Sequence, residues 1–453
     1  MTGATAVLDI GKTNVKLALF APDGALLWER STPNRVLPAP PYPHADVDAI
    51  WVFLIDALRE AAAAYDIGAI VPTTHACAGA FVDDAGLTLP VLDYEFAGVD
   101  EIERLYATMR PPYAQTLSPK LPGGLNQGRQ IAWQRQHFRD AVDRSRHYLT
   151  YPQYWSWRLS GVASAEVTML GAHSDLWFPM VRRTSSLAAM LDMSRLLPPI
   201  RPAWHELGPI KPEIAATSGL RPGTPVLNGL HDSNASLLPH LASRKPPFTI
   251  VSTGTWVILL AVGLGLERLR EEDDMLAYVD VEGRPTAAAR FMGGREYAEI
   301  AGAGANPDAA SLARVIASEA LALPCFSGQG GPFAARRGKI SGQVTPDDRA
   351  ALATLYVALM TDLMLTRLGA DSGDLIVEGS FAANAVYCQV LATLRPSQRV
   401  LAGGDSAGTA RGAALLARWP AGYGESNEHK VKAPAEIDGL ERYRRKWVKA
   451  IGA

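Results

Sequence analysis

A short hairpin pattern occurs twice, and its repetition constrains the fold more than any other feature of the 453-residue chain. The N-terminus reads Ala6-Val7-Leu8-Asp9-Ile10, then a polar Gly11-Lys12-Thr13-Asn14 turn, then Val15-Lys16-Leu17-Ala18-Leu19-Phe20. Phe248 to Val251, Ser252-Thr253-Gly254-Thr255 and Trp256 to Val262 repeat it, with Gly254 standing 243 residues after Gly11. Two apolar runs joined by a tight glycine-containing turn read as antiparallel strands, and a repeat at just over half the length predicts two related domains. An Asp23-Gly24 turn adds a third strand to the first hairpin. Val47 to Ala64 follows with Ile50, Phe53, Leu54, Ala57 and Leu58 at helical spacing, so each domain is expected to be α/β. Arg244-Lys245-Pro246-Pro247 breaks any helix or central strand and places the linker near Pro239 to Pro247. The expected division is 1–243, 244–433 and a short tail over 434–453.

Composition narrows the partners. Forty-four Lys and Arg against 46 Asp and Glu leave a formal charge of −2, and no block of like charge is present, which argues against a nucleic-acid or membrane-surface partner. Cys77, Cys325 and Cys388 lie far apart with no CxxC pair, the pattern of a reduced, cytoplasmic protein without structural zinc. Asp9, Lys12 and Lys16 interrupt the apolar N-terminus, so no signal-peptide core is expected there. The uncharged stretch Pro246 to Leu266 is long enough to span a bilayer, but Pro246-Pro247, Ser252 to Thr255, Gly263 and Gly265 make it read as strand, turn, strand.

Three segments have the residue types that phosphate and proton chemistry require. Ala6 to Thr13 misses a Walker A loop by one glycine, and Val7 to Ile10 is strand rather than flexible turn, so the better reading is an Asp at a strand end beside a hairpin turn. There Asp9 can hold a hydrated Mg²⁺, Gly11 can admit backbone amides to a phosphate, and Lys12 or Thr13 can donate to it; a polar turn without ligand is the alternative. Ser252 to Trp256 presents hydroxyls and N–H groups without charge, suited to the other side of a triphosphate. Between them, the strand Pro225-Val226-Leu227 ends at Asn228-Gly229 and a helix is expected from about Asp232. That residue reads either as an N-cap or as a base projecting from a rigid element.

Taken in order, these segments resemble the FGGY family of carbohydrate kinases, within the actin-like ATPase superfamily, over almost the whole chain. The landmarks are Asp9-x-Gly11-x-Thr13-Asn14-Val15-Lys16, Thr73-Thr74-His75-Ala76, Tyr151 to Gly161, His231-Asp232, Ser252 to Trp256, Glu378-Gly379-Ser380 and Gly412-Ala413-Ala414. The resemblance implies two ribonuclease-H-like domains with a cleft between them. It also implies ATP-dependent phosphorylation of a small sugar, a ketose such as L-fuculose or L-rhamnulose, with a pentulose (xylulose, ribulose) or a tetrulose such as erythrulose as the alternative. By the same resemblance Asp232 is the base that deprotonates the acceptor hydroxyl, His75 and Ser233 join it at the sugar, and Asp9 lies near Mg²⁺ through water. Gly11, Lys12, Thr13, Asn14, Gly254, Thr255, Gly379, Ser380 and Asn384 line the nucleotide, with the glycine-rich run Ala402 to Ala414 as a further wall.

Several points stay open at this level. His75 reads equally as a buried histidine donating to a carbonyl. Glu378 and Phe381 stand where the family often has glycines, and Lys12 where it often has a small residue. Trp133, Trp155, Trp157, Trp177 and Trp204 read as core, or one of them as a sugar platform. Phe291 to Tyr297 is unusual, and its Arg295 and Glu296 could face a cleft or a hinge. A non-catalytic ATP- or sugar-binding regulator is the reading from another class; a base beside a sugar-contacting histidine favours the enzyme, and no room is left before the first strand for a helix-turn-helix module. A homodimer is left open.

Overall fold

The computed structural model describes residues 3–302, 306–403, 408–421 and 430–452. They form two compact units that are not two uninterrupted ranges. The first gathers 1–243, 277–285 and 407–425, and the second gathers 244–276, 286–406 and 426–453. The expected two-range division is thus simpler than the packing, because two short stretches from the second half of the chain pack in the first unit.

In the first unit, β1 (Ala4–Ile10) pairs antiparallel with β2 (Asn14–Phe20), which pairs with β3 (Leu26–Pro33), the three-stranded start that the two turns predict. Helix α1 (Val47–Ala62) begins where the Asp46 side chain accepts from the Ala49 N–H at 3.0 Å, and buries Ile50, Phe53, Leu54, Ala57 and Leu58. Burying each larger side chain of that stripe contributes about 1.5–3 kcal/mol, which fixes the helix on the sheet. The chain returns as β4 (Ile67–Thr74), every residue of it buried, parallel to β1 with Ile10 opposite Thr74. Farther on come α2 (Tyr151–Ser160) and α3 (Val167–Leu170), then β5 (Glu206–Pro209), β6 (Pro225–Leu227), β7 (Leu230–His231) and α4 (Asp232–Ser243). The sheet order is β5-β6-β4-β1-β2-β3, with β7 also on β4.

The second unit repeats the core of that arrangement. Strands β8 (Phe248–Thr253) and β9 (Val257–Val262) form the second hairpin, followed by β10 (Met275–Val279), whose residues from Ala277 group with the first unit, and β11 (Pro285–Phe291). Helices α5 (Gly293–Ala301) and α6 (Arg349–Leu368) lead to β12 (Asp374–Gly379), which runs parallel to β8 as β4 does to β1. Helix α7 (Ala385–Leu394), β13 (Val400–Ala402) and β14 (Lys430–Lys432) complete a sheet ordered β10-β11-β9-β8-β12-β13-β14. Of the described helices, α6 with the turn before it is long and apolar enough to cross a membrane, and it is this unit's core helix, buried along most of its length. The stretch Pro246 to Leu266 is the second hairpin, strand, turn and strand as its glycines and prolines predict.

The stretch read as a tail instead carries α8 (Leu440–Ile451), whose Leu440, Tyr443, Trp447 and Ile451 are buried while Trp447 donates to the Ala322 carbonyl at 2.8 Å. Apolar residues three and four apart on an otherwise basic helix are the signal for this docked face.

Candidate functional site

In the first unit, three carboxylate- and imidazole-bearing residues come from three elements. Asp9 is the penultimate residue of β1 and faces Lys16 across the hairpin. Burial pushes its carboxyl up to about 7, with the charge of Asp232 adding and Lys16 opposing. His75 follows β4, its N–H bonded to the Ile10 carbonyl at 3.0 Å, so the β1–β4 pairing sets its place. Asp232 opens α4, where a strand end passes directly into a helix.

Asp232 is partly exposed, and its Oδ1 accepts from the Ser233 N–H at 2.6 Å and the Ser233 hydroxyl at 3.3 Å, with His231 Nε2 3.2 Å away but not hydrogen-bonded to it. Oδ2 has no hydrogen-bond partner among the described residues. Burial raises the Asp232 carboxyl above the ordinary carboxylate range, while His75 and the Ser233 bonds pull it back. Asp232 is the first residue of the helix and bonds only the adjacent Ser233, so the N-cap reading, which needs an N–H two or three residues on, is not what is seen.

His75 donates Nδ1–H to the Ala76 carbonyl at 2.7 Å, the bland arrangement anticipated for it. That bond leaves Nε2 an acceptor with no partner among the described residues. Tyr94 and Tyr151 flank the ring at 5.2 and 5.4 Å, and burial lowers its pKa, which keeps it neutral. A small cavity beside it is lined by Lys12, Asn34, His75, Asp93, Tyr94 and Tyr151. Lys12 neither points to solvent nor stands free: its ammonium pairs with Asp93 and, at 3.2 Å, Glu95, and lies 4.6 Å over the Tyr94 ring. Asn14 begins β2 exposed, and Gly11 N–H closes the turn onto the Asn14 carbonyl at 3.0 Å, a turn further held by Asn34, which donates to the Gly11 carbonyl at 2.7 Å.

The second unit carries no charge at its turn. Gly254 N–H bonds the Trp256 carbonyl at 2.9 Å, and the N–H groups of Gly294 and Arg295 reach the Thr255 carbonyl at 3.2 and 3.3 Å, docking the turn on the first residues of α5. A Cβ on Gly294 would stand 1.9 Å from the Gly254 carbonyl oxygen, so only glycine allows this approach. Gly379, at φ +80°, is equally confined, since a Cβ there would stand 1.9 Å from the Thr253 carbonyl oxygen. The Thr253 hydroxyl donates to the Glu378 carbonyl and accepts from the Phe381 N–H at 2.9 Å, which ties the Ser380 segment to the hairpin. Ser380 is exposed, whereas Asn384 is occupied as the N-cap of α7, accepting from Tyr387 N–H at 3.0 Å. Residues 404–407 of the glycine-rich run lie outside the described residues.

The unusual run after Phe291 now has an explanation. Gly293 and Gly294 receive the turn, Arg295 is exposed, and Glu296 is buried and accepts from Phe326 N–H at 3.0 Å and the Tyr356 hydroxyl at 2.6 Å. Glu296 thus organises the interior of its own unit. Trp133, Trp155 and Trp177 are core, and Trp157 and Trp204 are half-buried packing residues. Sequence reasoning assigned no role to His231, Tyr94, Asp93 or Gly294; for His231 the signal was present as its place directly before Asp232.

Two sheet-bearing units that each open on strand, turn, strand and a parallel return strand, one with a carboxylate at a helix start, have the fold of the actin-like ATPases. Residues 4–239 match the N-terminal domain of the FGGY family of carbohydrate kinases, and residues 245–426 match its C-terminal domain. The chain belongs to that family. A carbohydrate kinase from Novosphingobium aromaticivorans superposes with a TM-score of 0.91 at 34% identity, covering 100% of this chain and 99% of the other. L-fuculokinase of Escherichia coli is 27% identical over 271 residues, 56% of this chain and 55% of the relative. L-xylulose/3-keto-L-gulonate kinase of the same organism is 24% identical over 200 residues, 43% of this chain and 35% of the relative. The match spans about half the length of the first of these curated relatives and about a third of the second.

Proposed function

We propose that the protein is an ATP-dependent kinase of a small sugar, with a ketose such as L-fuculose or L-rhamnulose as acceptor. The observation that carries the reading is the Asp232 carboxylate at the start of α4, one oxygen bonded by Ser233 and the other without a partner among the described residues, with His75 near enough to pull its pKa down. In the proposed reaction the sugar hydroxyl oxygen bonds to the γ-phosphorus of ATP, the bond from that phosphorus to the β,γ-bridging oxygen breaks, and ADP leaves. Asp232 takes the hydroxyl proton as negative charge would otherwise build on the attacking oxygen. Its raised pKa makes it a better proton acceptor than an ordinary surface carboxylate. His75, neutral with Nε2 free, accepts a hydrogen bond from a sugar hydroxyl, and the Ser233 hydroxyl is placed for another. Gly254, Thr255, Gly379 and Ser380 offer a close backbone approach for phosphate and nucleotide, whereas Asn384 and Lys12 serve first as a helix cap and an ion-pair partner.

Mg²⁺ fits the first unit. The charge of Asp232 raises the Asp9 pKa against Lys16, negative charge that a divalent ion offsets. Among the described residues no three His, Cys, Asp or Glu side chains are placed to hold a metal, so the ion fits as one carried by phosphate oxygens and water, with Asp9 reaching it through water. When bound, it supplies neutralisation of the γ-phosphoryl charge. The three cysteines are buried and none is in a disulfide among the described residues; the setting proposed is reducing and cytoplasmic.

A coupled ADP-release assay over a panel of ketoses tests the reading. Turnover highest on 6-deoxyketohexoses is expected; turnover confined to pentuloses or erythrulose would move the substrate to the alternative that the L-xylulose kinase relative favours. Tight sugar binding with no turnover under saturating MgATP would make the protein a regulator instead.

A further inference from the structure

We infer that Asp93 and Glu95 set the charge selectivity of the acceptor site: by neutralising Lys12 they make it a site for uncharged ketoses that turns away sugar acids. This rests on the sugar-kinase reading and on His75 standing at the sugar.

Lys12 brings a cation to the first hairpin turn, directly after Gly11, and lines one small cavity with His75, Asp93 and Tyr94. A free ammonium there would receive a carboxylate, the group that distinguishes a sugar acid from a ketose. This ammonium is already engaged. It pairs with Asp93 Oδ1 and, at 3.2 Å, with Glu95 Oε2, and it lies 4.6 Å over the Tyr94 ring. Two carboxylates and a π face leave little positive field for a third anion.

The two acids are built into place. Asp93 N–H donates to the Pro43 carbonyl, the Asp93 carbonyl accepts from Phe96 N–H, and the Tyr94 carbonyl accepts from Gly124 N–H, each at 2.9 Å. The Asp93 side chain is 11% exposed against 64% for Glu95, so Asp93 is the inner member of the pair. The charges that act on His75 are those of Asp232, Lys12 and Asp93, two anions and one cation. Arg35 also lines the cavity, but it is exposed, where water and salt screen it.

Hydrogen-bond polarity points the same way. Asp93 Oδ1 takes Lys12 and, at 3.4 Å, Glu95 N–H, while Oδ2 has no hydrogen-bond partner among the described residues. His75 Nε2, on the same cavity, is likewise an acceptor without a partner among them. A sugar hydroxyl can donate to either atom; an ionised carboxylate can donate to neither and is repelled by the first.

ADP release by the full chain with MgATP tests this, with L-fuculose's and L-rhamnose's ketoses and D-xylulose as neutral acceptors and D-gluconate and 2-keto-D-gluconate as acids. Where an acid is not turned over, its Ki against the best ketose is read in place of its KM. Wild-type preference for the best ketose over either acid is expected to be at least about 100-fold. The double variant Asp93→Asn, Glu95→Gln leaves Lys12 unpaired, and the preference is expected to narrow at least about tenfold through tighter acid binding. Adding Lys12→Met to those two changes is expected to remove at least half of that gain on a logarithmic scale. An acid accepted by the wild type as well as the best ketose, an unchanged preference in the double variant, or a gain that survives Lys12→Met overturns the selectivity role and leaves the kinase reading standing. No turnover of any ketose or acid overturns the kinase reading and this inference together. Should the double variant fail to fold, Glu95→Gln at its exposed position decides: a narrowing of about threefold is expected, and an unchanged preference overturns the inference.

Discussion

The two hairpins share register and differ in chemistry. In the first unit Ile10 faces Thr74 and His75 follows; in the second Thr253 faces Gly379 and Ser380 follows. Asp9 precedes the first turn by two residues, and the equivalent position before Gly254 is the uncharged Ser252. The first hairpin therefore carries a half-buried carboxylate and a paired lysine, whereas the second carries hydroxyls and a carbonyl packed onto glycine. One scaffold used twice thus separates two demands that conflict at a single turn: holding charge, as the proposed proton and phosphoryl chemistry requires, and presenting bare backbone closely. Charge needs side chains with room for solvent or an ion, and close approach needs their absence.

The largest test of this division falls on the first unit. Asp232→Asn is expected to lower kcat by about 10²- to 10⁴-fold in the coupled assay with little change in ATP affinity by calorimetry. In the second unit the glycines that receive the turn matter more for stability than the turn glycines. Gly294→Ala and Gly379→Ala, each facing a carbonyl at 1.9 Å, are expected to cost about 1–3 kcal/mol in denaturant unfolding. Gly254→Ala, with open space around it, should stay within about 0.5 kcal/mol yet weaken ATP binding; equal stability losses at all three positions would erase the contrast.

Asp9 gives a smaller effect with a defined sign. Its carboxyl is raised from 3.8 to about 7 in the folded state, so the native protein holds a proton that the unfolded chain releases above about pH 4. Stability without metal falls as pH rises from about 4 to 7 and levels off above. Asp9→Asn should therefore raise Tm by about 2–4 °C at pH 8 and leave it unchanged below pH 4. Smallest is Lys12→Ala: its partly exposed pairs predict less than about 1 kcal/mol in stability, and a shift in ATP KM below about threefold, because Asp93 and Glu95 already engage the ammonium.

How much of this was legible depended on the range of the interaction. The hairpins, α1 and the start of α4 follow from local turn chemistry and apolar periodicity, which short windows of sequence contain. Lys12 could not be placed from its own neighbourhood, since its partners Asp93 and Glu95 come some eighty residues later. Gly294 was equally opaque, because the carbonyl that forbids a side chain there belongs to Gly254. Asn384 reads as a nucleotide contact by motif, but an Asn between a strand and a helix is also what an N-cap requires, and that use is the one seen. The helix of the C-terminal stretch was legible in the spacing of Leu440, Tyr443, Trp447 and Ile451, although the stretch reads as a tail when only its length is considered.

The interleaving of the two units along the chain has a consequence for how the polypeptide is made. Tyr278, which stacks on His231, and the Gly408–Ala414 helix, whose Gly412 lies against the Ala235 carbonyl, both belong to the first unit. During translation the first 243 residues leave the ribosome without either, with Leu230, Ala235 and Leu238 uncovered where Ala410, Ala413 and Ala414 later pack. The unit that is synthesised first is thus completed only after nearly the whole of the second has emerged.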